Sequence, residues 1–302
     1  MPNRPLHVRF GWTLRDYAKR VWDNAGEDNI FFLAGGIAFN ILLAAVPFFL
    51  LLFSGLGYLL NKSAKESTDT VWQVIHQFLP PHQESADSPI HRILNDIIAT
   101  RGKVGLVGLI GFVWFTTRLF GSLRTVLAEV FDIEQERSII AGKIFDIELS
   151  VVSTLLFIAY TTLSAYLGVA TTAGVRVLGE YGVRGALMGQ LEYFLGTAIA
   201  TLFIVLMFFA MYKWVPKRRI RWRSAMLAGL VTGILFQIAK SAFTSYLLHF
   251  NPGSLYSGTV ATIVIMVFWT YYSALIFIVG GEVGQVYELR RKRRLQRETF
   301  ED

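Results

Sequence analysis

The chain of 302 residues contains no cysteine, which excludes disulfides, thiol catalysis and cysteine-ligated metal. Its five histidines, His7, His76, His82, His91 and His249, fall at no metal-ligand spacing of the HExxH or HxH kind. Gly102, Gly105, Gly108 and Gly111 recur at three-residue steps, yet no strand precedes them and no GK[ST] ends them. They read as close helix packing in a membrane, like Gly55/Gly57 and Gly280/Gly281, and not as a phosphate-binding loop. No Ser-His-Asp arrangement, internal repeat or low-complexity linker stands out. The expectation is a single domain that is not an enzyme and takes no metal and no cofactor.

Charge is missing too, and where it is missing is informative. Phe31 to Leu60 is a run of 30 residues without one charged side chain, whereas about 20 apolar residues suffice for one helical crossing of a bilayer. The run is too long for the apolar core of a signal peptide. Pro47 lies within it and is expected to kink the helix by removing one backbone hydrogen bond. Further segments follow at Val104–Val130, Ile147–Val169, Tyr193–Met211, Ser224–Leu248 and Gly258–Val279. The fold class expected is all-α: a polytopic bundle of six transmembrane helices, with short interfacial helices at its ends.

The 29 Lys and Arg residues against 22 Asp and Glu give a net charge of +7, and their distribution sets the orientation. Residues 1–30 hold five, the loop 213–223 holds six, the tail 288–302 holds six, and Arg137 and Lys143 bring that side to 19. The other side has seven, and three lie within segments. By the excess of basic residues on the inner side of membranes, both termini are cytoplasmic and the loop at about 61–103 is external. The domain plan is then a basic amphipathic arm (1–30), a six-helix membrane domain (31–287) and a basic tail (288–302). Runs such as KRRIRWR, with Lys217, Arg218, Arg219, Arg221 and Arg223, stand beside membrane exits. There anionic headgroups and topology account for them, so no nucleic acid is expected as a partner.

Two regions outside the crossings carry amphipathic stripes. In the arm, Phe10, Leu14, Tyr17, Val21 and Trp22 recur at helical spacing between Arg15, Lys19 and Arg20, as suits a helix lying in the cytoplasmic interface. In the outer loop, Val71, Trp72, Ile75, Phe78 and Leu79 form one stripe before Pro80-Pro81. Ile90, Ile93, Leu94, Ile97 and Ile98 form another after Ser88-Pro89.

Polar residues inside apolar segments are the candidate site. Arg118 lies near the middle of its segment, about 14 residues or roughly 21 Å of helix beyond Val104. An arginine there costs at least about 2.5 kcal/mol on insertion scales, so it is expected to face an interior cavity. Its planar fork suits phosphate or carboxylate. Lys240 lies at comparable depth, with Gln237 one turn before it. Asn40 lies in the first segment, and Glu282 near the cytoplasmic end of the last. Pairing within the bundle is the alternative for Asn40, Glu282 and Arg118, and snorkelling to the interface is the alternative for Lys240.

Three stretches resemble the YihY/BrkB family of bacterial inner-membrane proteins. These are W-F-T-T-R-L-F from Trp114 to Phe120, Y-K-W-V-P-K-R-R-I-R-W-R from Tyr212 to Arg223, and the last helix. The last helix carries Gly258-Thr259, Trp269-Thr270-Tyr271, Ser273-Ala274 and Gly280-Gly281-Glu282. Two positions depart from the family pattern: Ser257 stands where a tyrosine is usual, and Ala44 where a serine is frequent. The resemblance implies a multi-pass inner-membrane protein of transport type, linked to virulence and to movement of envelope lipid or lipopolysaccharide precursors. It marks Trp114 as a further substrate-path candidate. The membrane lipids themselves, and an anionic lipid or solute as cargo, are the partners it implies. A label of tRNA-processing ribonuclease also travels with the family, but no cluster of carboxylates or histidines suited to hydrolytic metal ions accompanies it here. Two classes stay open: a translocase of an anionic lipid or solute, and a non-transporting scaffold for envelope assembly.

Overall fold

The computed structural model describes residues 6–59, 101–134, 140–156, 185–218, 220–250 and 258–301. Among them every regular element is a helix. These are α1 (Leu6–Glu27), α2 (Ile30–Leu59) and α3 (Arg101–Val130), then α4 (140–156), α5 (Gly185–Trp214), α6 (Trp222–Phe250) and α7 (Gly258–Glu301). The expected stripes at 71–79 and 90–98 lie outside the described residues, as does the segment beyond residue 156.

Packing centres on α7. It contacts α1, α2, α3 and α6, while α2 pairs with α3 and α5 pairs with α6. The inward face of α2 presents Ile30, Ala34, Ile37 and Ala38, all buried at three- to four-residue spacing. Its outward face presents Phe31, Phe32, Phe39 and Val46, all exposed. Alanines alternate with isoleucines on the inward face and aromatic rings crowd the outward one, as expected where the surrounding solvent is hydrocarbon and helices associate by close packing. The same outward display continues on Ile110 and Val113 of α3, Val151 and Leu155 of α4, Leu202 and Leu206 of α5, Ile234 and Ile238 of α6 and Phe268 of α7. Exposure of apolar side chains on this scale marks a membrane surface.

Three of the described helices are long and apolar enough to cross a bilayer: α2 over Ile30–Phe48, α6 over Trp222–Leu247 and α7 over Ile263–Arg293. A shorter apolar stretch, Ala200–Trp214, belongs to α5. Pro47 lies inside α2, whose helix runs on past it to Leu59. The last helix is longer than the sequence pattern suggests. It has 44 residues, or about 66 Å at 1.5 Å per residue, so the basic tail continues the membrane helix without a break.

Glycine sets the closest approaches, as expected for Gly280 and Gly281. A Cβ at Gly280 would lie 1.8 Å from Thr232 Oγ1 and 3.0 Å from Thr232 Cβ, and one at Gly284 would lie 2.9 Å from Ala228 Cβ. These two positions, four residues apart, form the seam on which α7 meets α6. Gly229 of α6 meets the backbone of Phe209 on α5 in the same way, at 2.8 Å. Beside the seam Tyr212 is fully buried. Its hydroxyl shares a 2.7 Å hydrogen bond with Thr232, and it donates to the Phe277 carbonyl. Its ring stacks on Phe277 at 4.9 Å between centroids.

Candidate functional site

Two corners of the chain adopt left-handed backbone, Asn29 at φ 50° and Asp132 at φ 49°. Asn and Asp are the non-glycine residues that tolerate this region best. Asp132 follows α3, where Ile133 N–H donates to Ala128 O at 2.8 Å and closes the helix end in the Schellman manner. Asn29 turns the chain from α1 into α2, and Leu33 N–H returns to its carbonyl at 3.2 Å. Both corners meet the part of α7 around Glu282 and Gln285. Asn24 Nδ2 donates to Gln285 Oε1 at 2.8 Å, and Gln285 Nε2 donates to Asp132 Oδ2 at 2.6 Å. Arg218, in the α5–α6 loop, bonds Glu288 at 3.1 Å, with Lys292 3.7 Å from the same carboxylate. The arm, the end of α3, the basic loop and the tail therefore gather at one end of the bundle.

At the centre of this junction Glu282 is 0% exposed, and neither carboxylate oxygen has a hydrogen-bond donor. It faces Asp28, within hydrogen-bonding reach, and also Asp132 and Asn24. Burial first, then the charges of Asp132, Glu129 and Glu27, push the Asp28 carboxyl above the ordinary carboxylate range, against the hydrogen bond with Glu282. Among the described residues no group of acids and histidines has the geometry of a metal site.

Beside the junction α1 bridges two cavities. Along one edge Asp16, Arg20 and Asn24 face Val286, Leu289, Arg290 and Arg293 across about 360 Å³. Along the other edge lies a larger groove of about 1060 Å³. Tyr17, Val21 and Trp22 of α1 form one wall, and Leu227, Val231, Leu275 and Val279 form another. Tyr17 donates its hydroxyl to the Val283 carbonyl, which holds α1 against α7. Burial pushes that phenol up to about 12, with Arg290 opposing. The arm stripe of Tyr17, Val21 and Trp22 thus lies at the groove, and Trp22 remains 79% exposed.

The other sequence candidates scatter. Arg118 is exposed, on the same face of α3 as Trp114, which is 64% exposed, and it lines neither of the two cavities beside α1. The inward stripe of α3 is Thr116, Phe120, Leu123, Leu127 and Val130, and at 100° per residue Arg118 falls across the helix from Phe120. Gln237 donates to Thr201 Oγ1 at 2.7 Å, joining α6 to α5, and Lys240 is half-buried one turn on. Asn40 bonds back to the Gly36 carbonyl at 2.9 Å within its own helix. Lys217, Arg218, Arg221 and Arg223 are exposed at the gathered end, and Arg219 lies outside the described residues. One ion pair went unread in the sequence: Arg124 and Asp146, 3.4 Å apart, tie α3 to α4, with Asp146 buried. An acid just ahead of an apolar segment, one helix on from a basic residue inside another, was the available signal.

The fold, the outward apolar surface and the apolar helices define a helical integral membrane protein. It belongs to the family of the virulence factor BrkB, whose profile matches residues 21–301. It is 27% identical over 288 residues to a UPF0761 membrane protein of Ralstonia nicotianae, covering 95% of this chain and 61% of that one. A UPF0761 membrane protein of Chlorobium phaeobacteroides is 27% identical over 263 residues, covering 86% of this chain and 55% of its own. The chain thus spans little more than half the length of these two relatives. A third relative, from Bacillus subtilis, carries the name ribonuclease-like protein YfkH and is 25% identical, covering 85% of this chain and 89% of its own. No solved structure matches.

Proposed function

We propose that the protein is a six-crossing transporter of the bacterial inner membrane that moves an anionic envelope lipid, with both termini in the cytoplasm. The observation that carries the reading is the groove between α1, α2, α6 and α7. It is large and apolar, flanked by Tyr17, Trp22 and Tyr287, and its volume suits acyl chains. Two arginines stand at one end of it. Arg223 is one turn before Leu227 of the groove wall, and Arg290 follows Tyr287. Apolar walls with a cationic end match a lipid whose headgroup bears phosphate. Exposed on α3 beside Trp114, Arg118 serves in this reading as a bilayer-side contact for lipid phosphate, and Lys240 as a second one. The scaffold alternative predicts a closed bundle, which the open groove disfavours. The ribonuclease-like name of one relative is not extended to this chain, because its basic clusters are accounted for at the membrane interface.

Purified full chain reconstituted into phosphatidylglycerol-containing vesicles should speed the movement of a headgroup-labelled phosphatidylglycerol between leaflets over protein-free vesicles. Equal rates with and without protein would overturn the transport reading. Topology is checked separately in this cysteine-free chain. A single cysteine at Ser85 should react with an impermeant maleimide in intact cells, and one at Ser138 only after lysis. The reverse pattern would invert the orientation.

A further inference from the structure

Glu282 poses a physical problem that the lipid reading leaves untouched. It lies 19 residues after Ile263, where the apolar span of α7 begins, or about 28 Å along the helix. That places it where the hydrocarbon ends. Sealed from solvent, with both oxygens lacking a donor, an ionised Glu282 would carry an uncompensated charge, which proteins avoid by neutralising the group. Its neighbours make this worse. From the α1–α2 corner Asp28 and, beyond it, Glu27 face the pair. From the end of α3 come Asp132 and Glu129. From α1 comes the neutral Asn24, whose amide acts weakly against the acids, and after burial the weightiest groups facing either carboxylate are acids. Asp132 already has an amide donor in Gln285, and the cations Arg218 and Lys292 are held by Glu288. Asp28 and Glu282 are left facing each other, two acceptors with nothing to share.

We propose that Glu282 and Asp28 form a binding site for one exchangeable proton, held between their carboxyl oxygens at the junction of α1, α2, α3 and α7. With the proton in place one acid donates to the other, and the sealed oxygens gain the hydrogen bond they lack. Two carboxylates at this range titrate as a unit. Asp28 is half-buried and lies next to the Asn29 corner, so the proton reaches the cytoplasmic water from that side. Loss of the proton sets two anions against each other and drives the corner away from α7. Asn29 and Ile30, the next residues, line the groove, so the site would set its width.

The sign of the pH dependence follows. The folded chain binds this proton above the ordinary carboxylate range and the unfolded chain does not, so stability falls as pH rises from that range through the titration of the pair. The test uses the full chain in nanodiscs, with infrared absorption in the protonated-carboxyl region and melting temperature followed against pH. Expected are a protonated-carboxyl band at neutral pH, its loss at alkaline pH, its absence in Glu282→Gln, and a shift of both its frequency and its titration in Asp28→Asn. Either variant should also change the fall of melting temperature with pH. Because Asp28 lies at a corner outside the packed core, Asp28→Asn decides the matter if Glu282→Gln fails to fold. A band whose frequency and titration are unmoved by Asp28→Asn, or no band in the parent protein, overturns the proposal. So does a melting temperature that depends on sodium or calcium at fixed pH and loses that dependence in Asp28→Asn, since the ligand would then be a metal cation.

Discussion

Gly280→Leu is expected to leave almost no correctly folded protein in the membrane. Even the first added carbon would stand 1.8 Å from Thr232 Oγ1 and 3.0 Å from the Tyr212 hydroxyl. The remaining side-chain atoms would have to enter the buried seam between α6 and α7. Overpacking of a tight core costs roughly 1–3 kcal/mol, and more where backbone must move, and here the helices themselves must separate. Parting them also breaks the Tyr212–Thr232 hydrogen bond and the stack on Phe277. The measurement is the monodisperse fraction of detergent-extracted protein in size-exclusion chromatography. Gly280→Ala should retain an intermediate fraction, and pairing it with Thr232→Gly should recover part of the loss. Parent-like behaviour of Gly280→Leu would mean that α6 and α7 do not meet at this seam.

Ala18→Trp is the second large effect expected. Ala18 is exposed and lines the groove, so an indole there occupies acyl-chain space without invading the core. Labelling of the protein by a phosphatidylglycerol carrying a photoactivatable acyl chain should drop by about tenfold or more, which corresponds to about 1.4 kcal/mol of lost binding. Expression and melting temperature should stay close to the parent values. Arg223→Ala should lower labelling by the anionic lipid more than by a zwitterionic one, because it removes charge and leaves the walls intact. Undiminished labelling in Ala18→Trp would place the lipid elsewhere on the protein and remove the basis for assigning the groove.

The long uncharged runs made the helices legible, because period and composition along an axis are local properties. The arm stripe of Tyr17, Val21 and Trp22 was legible as one face of a helix, and that face lines the groove, because an amphipathic pattern repeats along its own axis. Direction around the axis was harder. Arg118 was judged by depth alone, and depth does not say which way a side chain points. Its neighbours Phe120 and Leu123 held that information, since the buried stripe of α3 runs through them. Glu282 was noticed as a charge in a helix. Its significance depends on Asp28 and Asp132, which lie more than a hundred residues away in sequence and meet it through two left-handed corners. The pairing of Arg124 with Asp146 stayed hidden for a similar reason, as nothing in either segment names the helix it will pack against.

The unbroken run of α7 from Gly258 to Glu301 has a practical consequence for imaging. A bilayer core is about 30 Å thick, so tens of ångströms of this helix stand clear of the lipid. A small helical protein appended in register after Glu301 would prolong one rigid rod instead of hanging from a tether. Its position would then be locked to the axis of α7. That gives electron microscopy an alignment marker outside the micelle for a protein too small to be oriented by its own density.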